Sequence, residues 1–282
     1  MFDFKKLLPK RFRNPDPTIP VVRLTGSIAS GGGLGRTTLN LATVAAPLEK
    51  AFGDKKAPAV AILVNSPGGS PVQSHLIYRR IRDLATEKKK KVHVFVEDVA
   101  ASGGYMIACA GDDIHADPSS VVGSIGVISA GFGFVDAIER IGVERRVFTA
   151  GESKSTLDPF KPTEKDDVAH LQELLVDVHD VFKRLVKQAR GDRLTDDPAI
   201  FEGRFWAGAG ALERGLVDGI GDVRTVLKRL YGPKTKLQLT DVRRGIFNRR
   251  TPSIEMERFA QAALSGGMTA LEERAQRARY GL

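Results

Sequence analysis

The chain has 282 residues, with 43 lysines and arginines against 34 aspartates and glutamates, a formal charge of +9, 42% hydrophobic residues and one cysteine. That length supports one large α/β domain or two small ones around an ample core, and the lone Cys109, in the apolar run from Tyr105 to Ala110, excludes an intrachain disulfide framework and a multi-cysteine metal site. The charge is concentrated at the ends, five bases against one acid in residues 1–13 and eight arginines against five acids in residues 241–282, which leaves the middle without the positive footprint of a groove that tracks phosphates.

At the start, Lys5, Lys6, Lys10 and Arg11 interrupt the apolar Phe2, Phe4, Leu7, Leu8 and Phe12. No secretory h-region is formed, and no stretch of the chain reaches the ~18–20 apolar residues of a membrane span, so a cytoplasmic location is expected. The basic ends fit either peripheral contact with an anionic membrane or solvated, subunit-facing tails. Pro9, Pro15, Pro17 and Pro20 mark an irregular lead-in, and order is expected from about residue 19. The organisation that follows is a basic arm over 1–18, one domain over 19–240 and a basic, largely helical extension over 241–282.

From Ile19 onward, apolar β-rich runs alternate with helical patterns. Ile19–Leu24, Ala59–Val64, Val92–Val96, Ile114–Ala116, Val121–Ile128 and Arg146–Phe148 read as strands, and Thr37–Phe52, Val72–Glu87, Gly103–Ala110 and Phe132–Ile141 as helices. A long amphipathic helix is predicted over 164–190, with Thr163 as its cap and Val168, Leu171, Leu175, Val178, Phe182 and Leu185 on one face. Further helices are predicted over 222–230 and 255–279. Strands alternating with helices imply parallel pairing and repeated crossover units, an α/β fold with helices flanking a mostly parallel sheet.

Three short motifs carry chemistry. Asn65-Ser66-Pro67-Gly68-Gly69-Ser70 follows a buried strand and precedes a helix, so its glycines can turn sharply and expose N–H groups to an oxyanion. Taken alone, it is more simply an ordinary turn. Ser102, in Ala101-Ser102-Gly103-Gly104-Tyr105, stands between a strand and a small-residue helix, where Gly103 N–H would be a second donor; a serine there is often only a helix cap. Lys154, in Gly151-Glu152-Ser153-Lys154-Ser155-Thr156, is a base for a serine hydroxyl if burial keeps its amine uncharged, although a lysine in a polar loop is usually solvated. Ser124, in Gly123-Ser124-Ile125-Gly126, is a candidate to hold that amine in line.

These motifs, together with Gly203-Arg204-Phe205-Trp206-Ala207-Gly208 and Gly215-Leu216-Val217-Asp218, resemble in order and spacing the signal peptide peptidase A family of serine proteases, peptidase family S49, over roughly residues 19–232. The resemblance implies a Clp-protease/crotonase-like fold and a Ser-Lys dyad that cuts peptides, signal-peptide remnants among them. It implies Ser102 as nucleophile, Lys154 as base, Gly69 and Gly103 as oxyanion donors with Gly68 as the alternative to Gly69, and Ser124 as the residue that orients the lysine. It implies no metal or other cofactor, and an oligomer of like subunits that walls off the site. From the family pattern the sequence is expected to depart in lacking the N-terminal membrane anchor usual in bacterial members.

Two other readings are weighed beside it. A crotonase-like enzyme would use the same pair of amides on an acyl-CoA thioester and need no Ser-Lys pair, and a non-catalytic scaffold would hold membrane or peptide partners through its basic ends. Ser30-Gly31-Gly32-Gly33-Leu34-Gly35-Arg36-Thr37 imitates a phosphate loop but has serine for the first glycine and arginine for the lysine. Ser102, Asp136 and His170 or His179 stand in the chain order of a hydrolase triad. Both histidines fall on the long amphipathic helix with an exposed-looking aspect, and all five histidines are read as structural or solvated.

Overall fold

A computed structural model describes residues 16–31 and 38–240. The basic arm up to residue 15, most of the phosphate-loop-like stretch (32–37) and the extension over 241–282 lie outside the described residues. Within them the chain falls into two compact units, the first made of residues 16–31, 38–126 and 179–240, the second of residues 127–178.

The first unit is an α/β layer built on an eight-stranded sheet. In chain order it contains β1 (Thr18–Thr25), α1 (Leu41–Gly53), β2 (Ala59–Ser66), α2 (Pro71–Lys88), β3 (Lys91–Ala101), α3 (Gly103–Ala108), β4 (Asp113–Ala116) and β5 (Val121–Gly123). The second unit contributes α4 (Val135–Arg140), and the long helix α5 (Lys165–Arg190) returns the chain to the first unit. There follow β6 (Phe205–Ala207), α6 (Gly208–Glu213), β7 (Gly219–Ile220), α7 (Val223–Tyr231) and β8 (Lys236–Leu239). The main path runs β6-β5-β3-β2-β1-β8, with β4 joining β3 to β7, and every pairing is parallel except β5 with β6. This is the helix-flanked, mostly parallel α/β sheet expected from the sequence.

Both faces of the sheet are covered, which is why β2 reads Ala59-Val60-Ala61-Ile62-Leu63-Val64 without a polar residue. Alternate side chains enter two cores. Val60, Ile62 and Val64 join the larger one with Leu48 and Phe52 of α1, Ile77 and Ile81 of α2 and Tyr105 of α3. Ala59, Ala61 and Leu63 face the smaller one with Val226 and Leu227 of α7. Local signals set the helix starts: Asn40 and Thr43 form a reciprocal capping box at α1, and Ser70 caps α2 with Pro71 in its first turn. The last turns of α5 enter the larger core through Phe182, Leu185 and Val186.

β3 is the forked strand. Residues 93–96 pair with β4 and residues 99–101 with β5, and on its other side a bulge shifts the register with β2 between Val64 and Ser66. It therefore ends between the loop after β2 and the turn after β5, and its next residue is Ser102.

Some expectations need correction. Val121–Ile128 gives a strand only over Val121–Gly123, and Arg146–Phe148 lies in irregular chain. The long helix begins at Lys165, which puts Glu164 rather than Thr163 at the residue before it.

Candidate active site

Ser102 occupies the turn between β3 and α3 with φ +51° and ψ −123°, a region that residues with a Cβ rarely adopt. Such a conformation costs on the order of 1–3 kcal/mol and persists only where its surroundings enforce it. Here they do: Ser102 N–H donates to Gly123 O at 2.8 Å, and Ser102 O accepts from Met106 N at 3.0 Å. Although it stands in the N-cap position, its hydroxyl makes no capping hydrogen bond, so the simple helix-cap reading does not hold. The residue is half-buried, while Gly103 to Ala108 behind it are all buried.

The loop after β2 packs directly on this turn. A Cβ placed on Gly68, which has φ +100°, would lie 2.8 Å from Ser102 Cβ and 2.7 Å from Gly103 N, so only glycine lets the two backbones approach. On Gly69, with φ +136°, it would lie 2.1 Å from Ile28 O. The two glycines differ in what their amides do. Gly68 N–H is directed at Ser66 Oγ at 3.2 Å. The bridge to Ile28 runs through Gly68 O and Ser70 N, at 2.8 Å each, which leaves Gly69 N–H outside that ladder. Gly103 N–H opens α3 and is one of the amides that a helix leaves without an internal acceptor. Ser66 Oγ also donates to Gly26 O at 2.7 Å, tying the loop to the end of β1.

The third wall is the turn after β5. Ser124 has φ +54°, donates its N–H to Arg204 O at 2.6 Å, and follows the Gly123 carbonyl that holds Ser102. Ile125 O accepts from Gly203 N at 3.2 Å and stands 3.1 Å from His179 Nε2. His179 is thus half-buried against this turn rather than on the exposed face the sequence suggested; the contact spans 54 positions and has no local signal.

Behind α3, Tyr105 Oη donates to Leu216 O at 2.8 Å. The segment that carries Leu216 is fixed by Arg190, which donates to Gly215 O at 2.8 Å and to both Asp218 carboxylate oxygens at 2.8 and 2.9 Å. Cys109 is buried there, and burial pushes its thiol up to about 12, so it is a packing residue and not a nucleophile. His93 is likewise structural: it is buried, with Nδ1 2.8 Å from an Asp113 oxygen and Nε2 2.7 Å from Tyr231 Oη.

Gly68, Gly69, Ser102, Gly103 and Ser124 are therefore brought together in the first unit. Lys154 belongs to the second, in a short 3₁₀ turn over Glu152–Ser155. Lys154 is exposed there. Asp158 organises its turn, accepting from Ser155 Oγ at 3.2 Å, Phe160 N at 3.1 Å and Arg145 Nε at 3.0 Å.

Comparison with known proteins identifies the family. The sequence profile "Peptidase family S49" matches residues 85–237. Protease 4 of Haemophilus influenzae is 32% identical over 80% of this chain and 37% of its own length. The chloroplastic serine protease SPPA of Arabidopsis thaliana is 33% identical over 59% of this chain and 24% of its own. A protein of Brucella abortus named Na(+)/H(+) antiporter NhaA is 55% identical over 99% of this chain, which spans only 39% of that protein's length. The antiporter name describes that longer protein; among the residues described here no helix is long and apolar enough to cross a membrane. With more than half of the chain matched by one profile, and a relative named as a protease 32% identical over 80% of the chain, the chain is a member of peptidase family S49.

Proposed function

We propose that this S49 peptidase is a serine endopeptidase that works through an acyl-enzyme, with Ser102 as nucleophile and Lys154 as the base. The observation that carries the reading is Ser102 itself, a non-glycine residue at φ +51° whose hydroxyl is not used as a cap and whose neighbours Gly69 and Gly103 present amides free for an acceptor.

In this mechanism the uncharged Lys154 amine takes the Ser102 hydroxyl proton as the oxygen attacks a peptide carbonyl. The tetrahedral oxyanion accepts hydrogen bonds from Gly69 N–H and Gly103 N–H; losing one such donor costs on the order of 100- to 1000-fold in rate. Gly69 is preferred over Gly68 because the Gly68 amide already faces Ser66 Oγ. The lysine ammonium protonates the leaving amine, the C–N bond breaks, and a water deprotonated by the same lysine releases the acyl group and restores the serine. Ser124 would hold the amine in line. No step requires a metal or organic cofactor. Substrates would be extended peptides, signal-peptide remnants among them.

An exposed lysine is a poor base until water is removed from around it. We take assembly with further copies of the chain to do this, a reading supported by the exposed Phe132 and Phe148 of the second unit, 79% and 93% accessible.

The crotonase-like alternative has the same amide pair but gives no role to a strained, uncapped serine. Ser102→Ala and Lys154→Ala, each folded as judged by circular dichroism, are expected to lose at least about 10⁴-fold in peptide turnover. The native protein should be labelled at Ser102 by a fluorophosphonate. Turnover retained by either variant, or labelling elsewhere, would overturn the dyad.

A further inference from the structure

His179 is set aside as a triad histidine, yet its position gives it other work. It lies on α5, and its Nε2 stands 3.1 Å from the carbonyl oxygen of Ile125. A carbonyl only accepts, so Nε2 must carry the proton, which fixes the ring as a donor through that nitrogen. Ile125 is fully buried, and its carbonyl has a second donor in Gly203 N at 3.2 Å. One residue earlier is Ser124 at φ +54°, and one before that is the Gly123 carbonyl that receives Ser102 N–H at 2.8 Å.

We infer that His179 is a positioning residue for the nucleophile, acting through the turn Gly123–Gly126. Two consecutive residues of this turn, Gly123 at φ +120° and Ser124 at φ +54°, hold left-handed conformations that a serine keeps only where its surroundings enforce them. Within the turn Gly126 N–H donates to Ser124 O at 3.0 Å, and from outside Ser124 N–H donates to Arg204 O while Gly203 N–H and His179 hold the Ile125 carbonyl. With the imidazole donor removed, the carbonyl is held by Gly203 N–H alone and is freer to swing, which loosens the hold on Ser124 in the left-handed region and on the Gly123 carbonyl that fixes the Ser102 backbone. Small displacements of a reacting group are costly, on the order of 100-fold for about 1 Å. Because the imidazole touches backbone and not substrate, the effect belongs in kcat rather than KM.

This inference rests on the reading of Ser102 as nucleophile. Its test compares the native protein with His179→Ala, His179→Gln and Ser102→Ala in peptide turnover, fluorophosphonate labelling rate and thermal midpoint. Glutamine can place an amide N–H close to where the ring carries Nε2–H, whereas alanine cannot. The expected result for His179→Ala is a fall in kcat and in labelling rate on the order of 10- to 100-fold, with KM within about 2-fold. His179→Gln should recover most of that loss. If the alanine variant does not fold, His179→Phe keeps the ring bulk without the donor and takes its place. A folded variant without the donor that keeps native kcat would overturn the inference, and so would a glutamine variant as impaired as it. Ser102→Ala separates the two levels: if it is inactive while His179→Ala keeps native kcat, only the role of His179 falls; if it retains turnover, the underlying reading falls as well.

Discussion

A carboxylate, Asp158, fastens the end of the turn that carries Lys154 through Ser155 Oγ. Asp158 accepts from Phe160 N, Arg145 and Ser155 Oγ, and these bonds, the Phe160 amide foremost, hold its carboxyl below the usual carboxylate range. Its side chain is only 3% accessible. Asp158→Asn keeps an oxygen for the Phe160 amide and removes the charge that faces Arg145. It should lower kcat roughly tenfold through a looser Lys154 turn, which steady-state kinetics on a peptide would show; an unchanged kcat would mean that the turn needs no such restraint. Much at this scale was legible in the sequence, because the distinctive backbone demands fall on Gly68, Gly69 and Ser102, and residues flanking a strand-to-helix turn declare themselves locally. What separates Gly69 from Gly68 was not legible, since it depends on Ser66 Oγ folding back onto one amide. His179 was missed for a related reason: a half-buried histidine on an amphipathic helix looks solvated until the turn it touches, 54 positions away, is in place.

At the scale of elements, long periodic segments emerged as expected and short ones did not. β2 has an unbroken apolar run of six residues, and α2 and α5 have 18 and 26 residues with an apolar period, whereas β6, β7 and β8 have three, two and four residues, too few for a period to stand out. The strand expected over Val121–Ile128 stops at Gly123 because Gly123 and Ser124 both leave extended backbone, so an apolar run conceals a turn. The end of α5 is fastened by a pair that periodicity also hides: Arg190, 1% accessible, with the carboxylate of Asp218. Burial alone would raise the Asp218 carboxyl, but hydrogen bonding and attraction from Arg190 outweigh it and lower its pKa. A carboxylate whose folded pKa lies below its unfolded value of ~3.9 adds stability that is fully present above that value and is lost as pH falls through the folded one. Native stability should therefore decline with acid below about pH 4, and Asp218→Asn should flatten that part of the profile in urea titrations. Arg190→Met should cost toward the lower end of ~3–5 kcal/mol, since Arg193 at 3.1 Å still accompanies the stranded carboxylate. A profile that keeps its native acid slope in Asp218→Asn would show that other carboxylates govern it.

For the whole molecule, the sequence reads a single domain over 19–240, and the stretch that separates out, residues 127–178, is the one with least apolar burial. None of the six residues of α4 is buried. Around it in the second unit three aromatic rings touch: those of Phe132 and Phe134 lie 6.3 Å apart, those of Phe134 and Phe160 5.5 Å, and Arg145 stacks over Phe160 at 4.9 Å. The exposed Phe132 and Phe134, joined to a half-buried Phe160 under a stacked arginine, have the composition of an interface core. If further copies of the chain cover this surface, mass and catalysis should fail together. Phe132→Asp would place a charge where Phe132 is 79% accessible, which a lone chain tolerates and a buried contact does not. Light scattering should then show a fall in mass toward 30.6 kDa with the thermal midpoint of the first unit little changed. Peptide turnover should fall with the mass if Lys154 is the base of Ser102, because a neighbouring copy then no longer keeps water from it. Native mass with native turnover would place the contact elsewhere, and a monomer with full turnover would show that Lys154 does not depend on a neighbouring copy for its dry surroundings.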